Sequence, residues 1–310
     1  MTEMIAAAKQ DKPLVGIALM LVAFLLFSFI DASAKWLSVL SLPALQLAFM
    51  RYLPHFVIST TLIGRAGLKQ AMFASSHAPM LILRATMLMV STVLNFIAMT
   101  YLPLTLTSTI LFSAPLIICM LSWPLLGERV GLFRWSAIAL GFGGVAIAIR
   151  PFDDSFHWAV FLSLGGAFTF ALYSILTRRL AGLVPIDVMQ FYTGAIGTLA
   201  LLPVALYQWQ SPAAPIDWTI MIMLGVFGWA GHQFMTVAHR FAAASLLTPF
   251  GYSFILYLTA WSYVLFGHIP DQLTVTGAVL IVVSGLVIWF RELQQQRARR
   301  TQLPDPNLDR

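Results

Sequence analysis

Apolar residues run along this chain in ten stretches, separated by short polar or proline-bearing turns: 13–34, 43–63, 79–99, 104–124, 133–150, 158–177, 187–207, 218–238, 244–265 and 275–290. A helix needs about 20 mainly apolar residues to cross the hydrocarbon core of a bilayer. The pattern therefore predicts an all-α polytopic membrane protein with ten transmembrane helices. Outer-membrane barrel strands would instead alternate apolar and polar residues over about 10 positions. The connections leave no room for a soluble domain. The predicted organisation is an N-terminal segment 1–12, a first set of five spans over 13–150, a second over 158–290, and a polar tail 291–310 read as disordered. Lys9, Lys12 and Ala32-Ser33-Ala34 give the first span some look of a cleaved signal peptide. The run from Leu14 to Ile30 is long for one, and an internal repeat needs the span.

That repeat relates the two halves at offsets near 140. Ala98, Leu106 and Gly127 meet Ala238, Leu246 and Gly267; Pro43 and Phe49 meet Pro185 and Phe191; Gly144 and Arg150 meet Gly285 and Arg291. Each identity is weak alone, and their collinearity carries the signal. Five spans is an odd number, so the second half enters the bilayer from the opposite side. Inverted repeats around a midplane site recur in secondary transporters.

Composition agrees. Of the 310 residues, 59% are hydrophobic and 10% charged, with a mean hydropathy of +0.85. A soluble fold could not cover its surface with so few charges, and disorder requires low hydrophobicity. The net charge of +6 would suggest nucleic acid in a soluble protein. Here it reads as loop charge, and no nucleic-acid partner is expected. Fourteen of the 18 Lys and Arg residues fall on the side of the N-terminus, including Arg65, Arg134, Arg178 and the C-terminal tail. The positive-inside rule then places both termini in the cytoplasm of an inner membrane. Cys119 is the single cysteine, so neither an internal disulfide nor a thiolate metal site is available.

The end of the fourth span reads Leu125-Leu126-Gly127-Glu128-Arg129-Val130, and Arg51 stands in the second span. These features and the repeat resemble the EamA-type branch of the drug/metabolite transporter superfamily over roughly residues 13–291, with the YddG-type amino acid exporters as a neighbouring subfamily. The second half departs from the pattern, because Gly267 is followed by His268 and not by Glu. The resemblance implies two inverted five-helix repeats and transport of a small metabolite, foremost amino acids outward. The alternatives are an importer of a vitamin or nucleoside-like compound, or a membrane enzyme without translocation. Membrane lipid is the other expected contact, and a monomer the expected state. No P-loop, HExxH or Asp-rich motif is present, so an enzyme, a cofactor and a metal are not expected.

Polar and small residues recur at helical spacing on six spans: Phe27, Asp31 and Lys35 on the first; Arg84, Ser91 and Asn95 on the third; Thr105, Ser108 and Pro115 on the fourth; Ser163, Gly166, Tyr173 and Thr177 on the sixth; Gly225, Gly228, His232 and Thr236 on the eighth; Ser245, Thr248 and Tyr252 on the ninth. Small and hydroxyl residues also pack helices tightly without any ligand. The set is nevertheless paired across the repeat, which favours a common cavity. The candidate substrate-binding residues are Asp31, Asn95, Tyr173, Trp229, His232, Gln233 and Tyr252; Pro115 and Pro249 are candidate gating hinges. Asp31 is the only acid well inside a span, facing a substrate ammonium or a proton near the outer mouth, or simply pairing with Lys35. His232 can titrate near neutral pH, which makes proton coupling chemically available. Arg51 is readable as an anion site. Snorkelling to the interface is the plainer reading for both Arg51 and Arg84.

Overall fold

The computed structural model describes residues 12–73, 77–126, 131–154, 156–180, 183–242 and 244–301. The Gly127–Val130 run, the N-terminal segment 1–11 and the end of the tail, 302–310, lie outside them. Every regular element among the described residues is helical: α1 (Pro13–Val39), α2 (Ala44–Phe73), α3 (Ala78–Tyr101), α4 (Leu104–Leu111), α5 (Ala114–Leu126), α6 (Leu132–Ile149), α7 (Val160–Leu180), α8 (Ile186–Tyr207), α9 (Pro215–Phe241), α10 (Ala244–Leu247), a 3-10 turn (Thr248–Tyr252), α11 (Ser253–Phe266) and α12 (Gln272–Thr301). In hydrocarbon no water is available to backbone N–H and C=O groups, and a helix satisfies them within its own segment.

Eight of these stretches are long and apolar enough to cross a membrane: α1, α3, α4 with α5, α6, α7, α8, α9 and α12. Two expected spans fall outside that set for different reasons. The 43–63 span is helical, but Gln46, Arg51, His55 and Ser59 dilute its apolar character. The 244–265 span is divided among α10, the 3-10 turn and α11. The 104–124 span also breaks, at Phe112–Ser113, just ahead of Pro115, whose ring nitrogen cannot donate to the preceding turn. The last helix runs to Thr301, well into the segment read as a disordered tail. Within α2, Gly64 takes φ 64° and ψ 178°, open only to a residue without Cβ, and ends the regular part of the helix.

The helices pack chiefly in pairs: α1 on α9, α2 on α8, α3 on α7 and α6 on α12. The last pair meets backbone to backbone. A Cβ on Gly144 would lie 2.8 Å from the Gly277 carbonyl oxygen, and one on Gly277 2.5 Å from that of Gly144. Small residues give such helices their contact area in lipid, where apolar side chains gain nothing by leaving the solvent. Large apolar side chains such as Leu199, Leu256 and Val264 face outward. The start of α1 meets the end of α9, where the Lys12 amide donates to the Phe241 carbonyl at 3.2 Å. This is the N-terminal end of the bundle. At the opposite end Arg150 pairs with Asp271, tying the end of α6 to the start of α12.

Candidate functional site

The interior is more polar than the apolar spans suggest, and the polar groups sort into three neighbouring places. The first lies between α1, α2 and α3. Asn95 donates its side-chain amide to the Asp31 carboxylate at 3.4 Å. One turn earlier on α3, Thr92 accepts from Arg51 Nη1 at 2.8 Å and shares a 2.8 Å hydrogen bond with the Tyr52 hydroxyl. Arg51 Nη1 also donates to Tyr52 at 3.1 Å. Asp31 is 8% exposed. It does not pair with Lys35, although the two share a helix face. Lys35 instead donates to the Met99 and Leu102 carbonyls at 2.6 and 3.0 Å. Those carbonyls end α3, where the backbone lacks partners and the helix dipole is negative. Of the two readings of Asp31, the pair with Lys35 does not form: Lys35 caps the end of α3, and Asp31 is buried against Asn95.

The second place surrounds Arg84. It was expected to snorkel, yet it is 4% exposed. Its Nε donates to Thr177 at 2.7 Å, Nη1 to Thr193 at 2.9 Å and to the Met189 carbonyl at 3.2 Å, and Nη2 to Tyr173 at 2.9 Å. Its guanidinium carbon also stands 4.6 Å from the Tyr173 ring centroid. These partners belong to α7 and α8. Arg84 stays because this shell replaces the water it lost.

The third place holds the remaining candidates on α9. His232 is buried with its ring 5.0 Å from Phe27 and 6.2 Å from His55. Trp229 and Gln233 lie one turn apart and line a small cleft with Ser59, Ile63, Gln190 and Asp187, between α2, α8 and α9 toward the N-terminal end. The Nε2 of His55 and the hydroxyl of Ser59 are buried without a hydrogen-bond partner, as is the Asn95 carbonyl oxygen.

The structure thus joins Asp31 directly to Asn95 and gathers Trp229 with Gln233. It assigns Tyr173 to Arg84 and sets Tyr252 apart. The Tyr252 ring lies tilted against Phe112, centroids 5.6 Å apart, and its hydroxyl presses on Gly285 of α12. Pro249 falls inside the 3-10 turn, and Pro115 opens α5. Several of the striped hydroxyls are turned back on their own helices: Ser108 donates to Thr105, Thr177 to Tyr173 and Thr236 to His232. Tyr52, His55 and Thr193 were missed because α2 and α8 look plain by composition. The signal was there in α2, where Gln46, Arg51, His55 and Ser59 recur every four or five residues on one side. No group of three or more metal-ligating side chains gathers among the described residues.

The sequence model of the EamA-like transporter family matches residues 14–150 and, a second time, residues 157–290. Similar proteins include the riboflavin transporter of Vibrio cholerae, 28% identical over 94% of this chain and 98% of that protein. The pseudopaline exporter CntI of Pseudomonas aeruginosa is 28% identical over 88% of this chain and 95% of its own length. The S-adenosylmethionine uptake transporter of Rickettsia prowazekii is 24% identical over 92% and 95%. A solved crystal structure superposes with a TM-score of 0.62 at 18% identity over 93% of this chain and 99% of that one, a likeness of fold.

Proposed function

The chain belongs to the EamA-like transporter family, and from that premise we propose that it is a secondary carrier of small metabolites, foremost amino acids, working outward from the cytoplasm by alternating access. Ten spans in two inverted halves form the mechanism. Three observations support the inversion. One family model matches each half in turn. The packing is conserved when the halves are exchanged: α1 on α9 becomes α7 on α3, α2 on α9 becomes α8 on α3, and the pairs α2–α8 and α6–α12 map onto themselves. The broken spans also correspond, since Phe112–Ser113 and Tyr252–Ser253 lie 140 residues apart. The two breaks, with Pro115 and Pro249, are the bending points.

The halves are alike in sequence and unlike in posture. α1 and α2 both pack on α3, whereas their counterparts α7 and α8 make no extensive contact with α9. α3 is packed against α1 and α2 near Asp31 and Asn95, and a small cleft lies at Trp229 and Gln233. Exchanging these two arrangements would carry the interior from one side of the membrane to the other, with no energy-transducing domain.

The single observation behind a polar cargo is the charged interior. A charge within a membrane span is costly and persists where it has work to do. Asp31, Asn95, His232, Trp229 and Gln233 then line the path from the packed region at α3 to the cleft between α2, α8 and α9. Labelled amino acids supplied to purified protein in liposomes, with and without a pH gradient, test the reading; no movement of any of them would refute it. The importer reading is favoured by the likeness to the S-adenosylmethionine uptake transporter, and the riboflavin transporter, which matches nearly end to end, is named for a vitamin, so S-adenosylmethionine, riboflavin and nucleosides belong in the same panel. Reporter fusions after Arg65, Arg134 and Arg179 are expected to report cytoplasm, and fusions at Ser41, Asp154 and Ser211 the outside.

A further inference from the structure

Arg51 and Asp31 are opposite charges held one helical turn apart by the same face of α3, through Thr92 and Asn95. Residues three apart on a helix are neighbours, with Cβ atoms about 5–6 Å apart. The two groups nevertheless do not close into an ion pair, although the interior is where such a pair would attract most strongly. Each is also left partly unsatisfied. Arg51 spends only Nη1 on the protein, and its Nε and Nη2 have no hydrogen-bond partner among the described residues. Those two atoms carry the adjacent N–H groups of the guanidinium's side fork, the geometry that takes a carboxylate with two parallel hydrogen bonds. Asp31 accepts one long bond, from Asn95, and the Asn95 carbonyl oxygen beside it is buried with no donor.

We propose that Arg51 and Asp31 are the two poles of a zwitterion site: the free fork of Arg51 takes the α-carboxylate of an amino acid, and Asp31 with the Asn95 carbonyl oxygen takes its ammonium. This rests on the amino acid reading above and deepens it, since it fixes which end of the substrate each residue reads. A zwitterion satisfies both poles at once and adds no net charge to the bundle. A molecule with one charge leaves the opposite pole unmatched in a low-dielectric interior. His232, beside Phe27, is then a neighbour of the bound molecule and not its carboxylate partner. The side chain of the substrate points toward the cleft of Trp229 and Gln233.

The test keeps one side chain and removes charges singly: L-phenylalanine, its amide, which lacks the carboxylate, and its N-acetyl derivative, which lacks the ammonium. Uptake of each is measured in proteoliposomes with wild type, Arg51→Gln and Asp31→Asn. Wild type is expected to prefer phenylalanine to either analogue by about tenfold or more, the equivalent of about 1.4 kcal/mol. Arg51→Gln is expected to lose phenylalanine transport by about the same factor while keeping the amide, and Asp31→Asn to lose it while keeping the N-acetyl compound. The wild-type arm does not depend on the folding of any variant. If wild type moves all three compounds equally, or if each variant loses all three in parallel, the proposal is overturned and amino acid transport stands. If wild type moves none of them or any other amino acid, the transport reading falls and takes the site with it.

Discussion

Arg84 and Arg51 carry the same group into the same bundle and meet different surroundings. Around Arg84, α7 and α8 supply three hydroxyls and a carbonyl, and every nitrogen of the guanidinium has a protein partner. Around Arg51, one nitrogen serves Tyr52 and Thr92 while the other two are left open. A saturated cation in the interior is a structural tie, here joining α3 to α7 and α8. An unsaturated one keeps capacity for something the chain does not contain. Burial alone would not have told them apart, because the more deeply buried of the two is the one with nothing left to offer. Donor accounting does.

The most damaging change should be at the tie. Arg84→Met removes the group that the Tyr173, Thr177 and Thr193 hydroxyls surround, and the expected loss is about 3 kcal/mol of stability, from hydrogen bonds to a charged group and buried hydroxyls left without it. It would be read as a fall in melting temperature in detergent. Arg84→Lys should not restore it, since a point charge cannot reach four partners in a fork geometry. A wild-type melting temperature for either variant would break the comparison.

Next in size is the cleft. Trp229→Ala should lower transport several-fold with near-normal expression, because the residue lines the cleft between α2, α8 and α9. Leu199→Ala, on an outward-facing position of α8, should leave transport unchanged. Equal effects at the two positions would show that the proposed path ends at Arg51 and does not extend along α9.

Arg51→Gln sharpens the contrast from the other side. Its stability cost should stay near about 1 kcal/mol, the worth of ordinary intramolecular hydrogen bonds, so that it melts close to wild type while Arg84→Met does not. A melting temperature as low as that of Arg84→Met would make Arg51 a second tie. The smallest effect belongs to Lys35→Gln. It weakens a cap at the end of α3, expected at about 0.5 kcal/mol, with little change in transport. A loss of transport as large as that of Arg51→Gln would mean that Lys35 acts with Asp31 after all.

The legible part of the candidate site is the part written in one helix at a time. Asp31, Asn95, Trp229, His232 and Gln233 stand out because a polar residue in a long apolar run is conspicuous wherever the helix later packs. Tyr252 was conspicuous for the same reason, and packing carried it to Phe112 and Gly285. Pro115 marked the neighbourhood of a break in its helix, because a missing N–H acts locally. The role of Lys35 is not legible in the sequence, because its neighbour four residues away is visible there, whereas the carbonyls at the end of α3, more than sixty residues on, are not.

Helical class, apolar stretches and family are legible in the residues alone, because each depends on local periodicity, segment length and short runs that no distant contact can change. Tertiary structure alone decided which polar groups are spent and which remain free. Arg84 finds its partners 89 to 109 residues away, while Arg51 and Asp31 are set on one face of α3 by Thr92 and Asn95, 41 and 64 residues distant. Pairings over such separations follow from how the helices are brought side by side, and the hydrophobic pattern of a single helix says only that a face is buried, not what it will meet there.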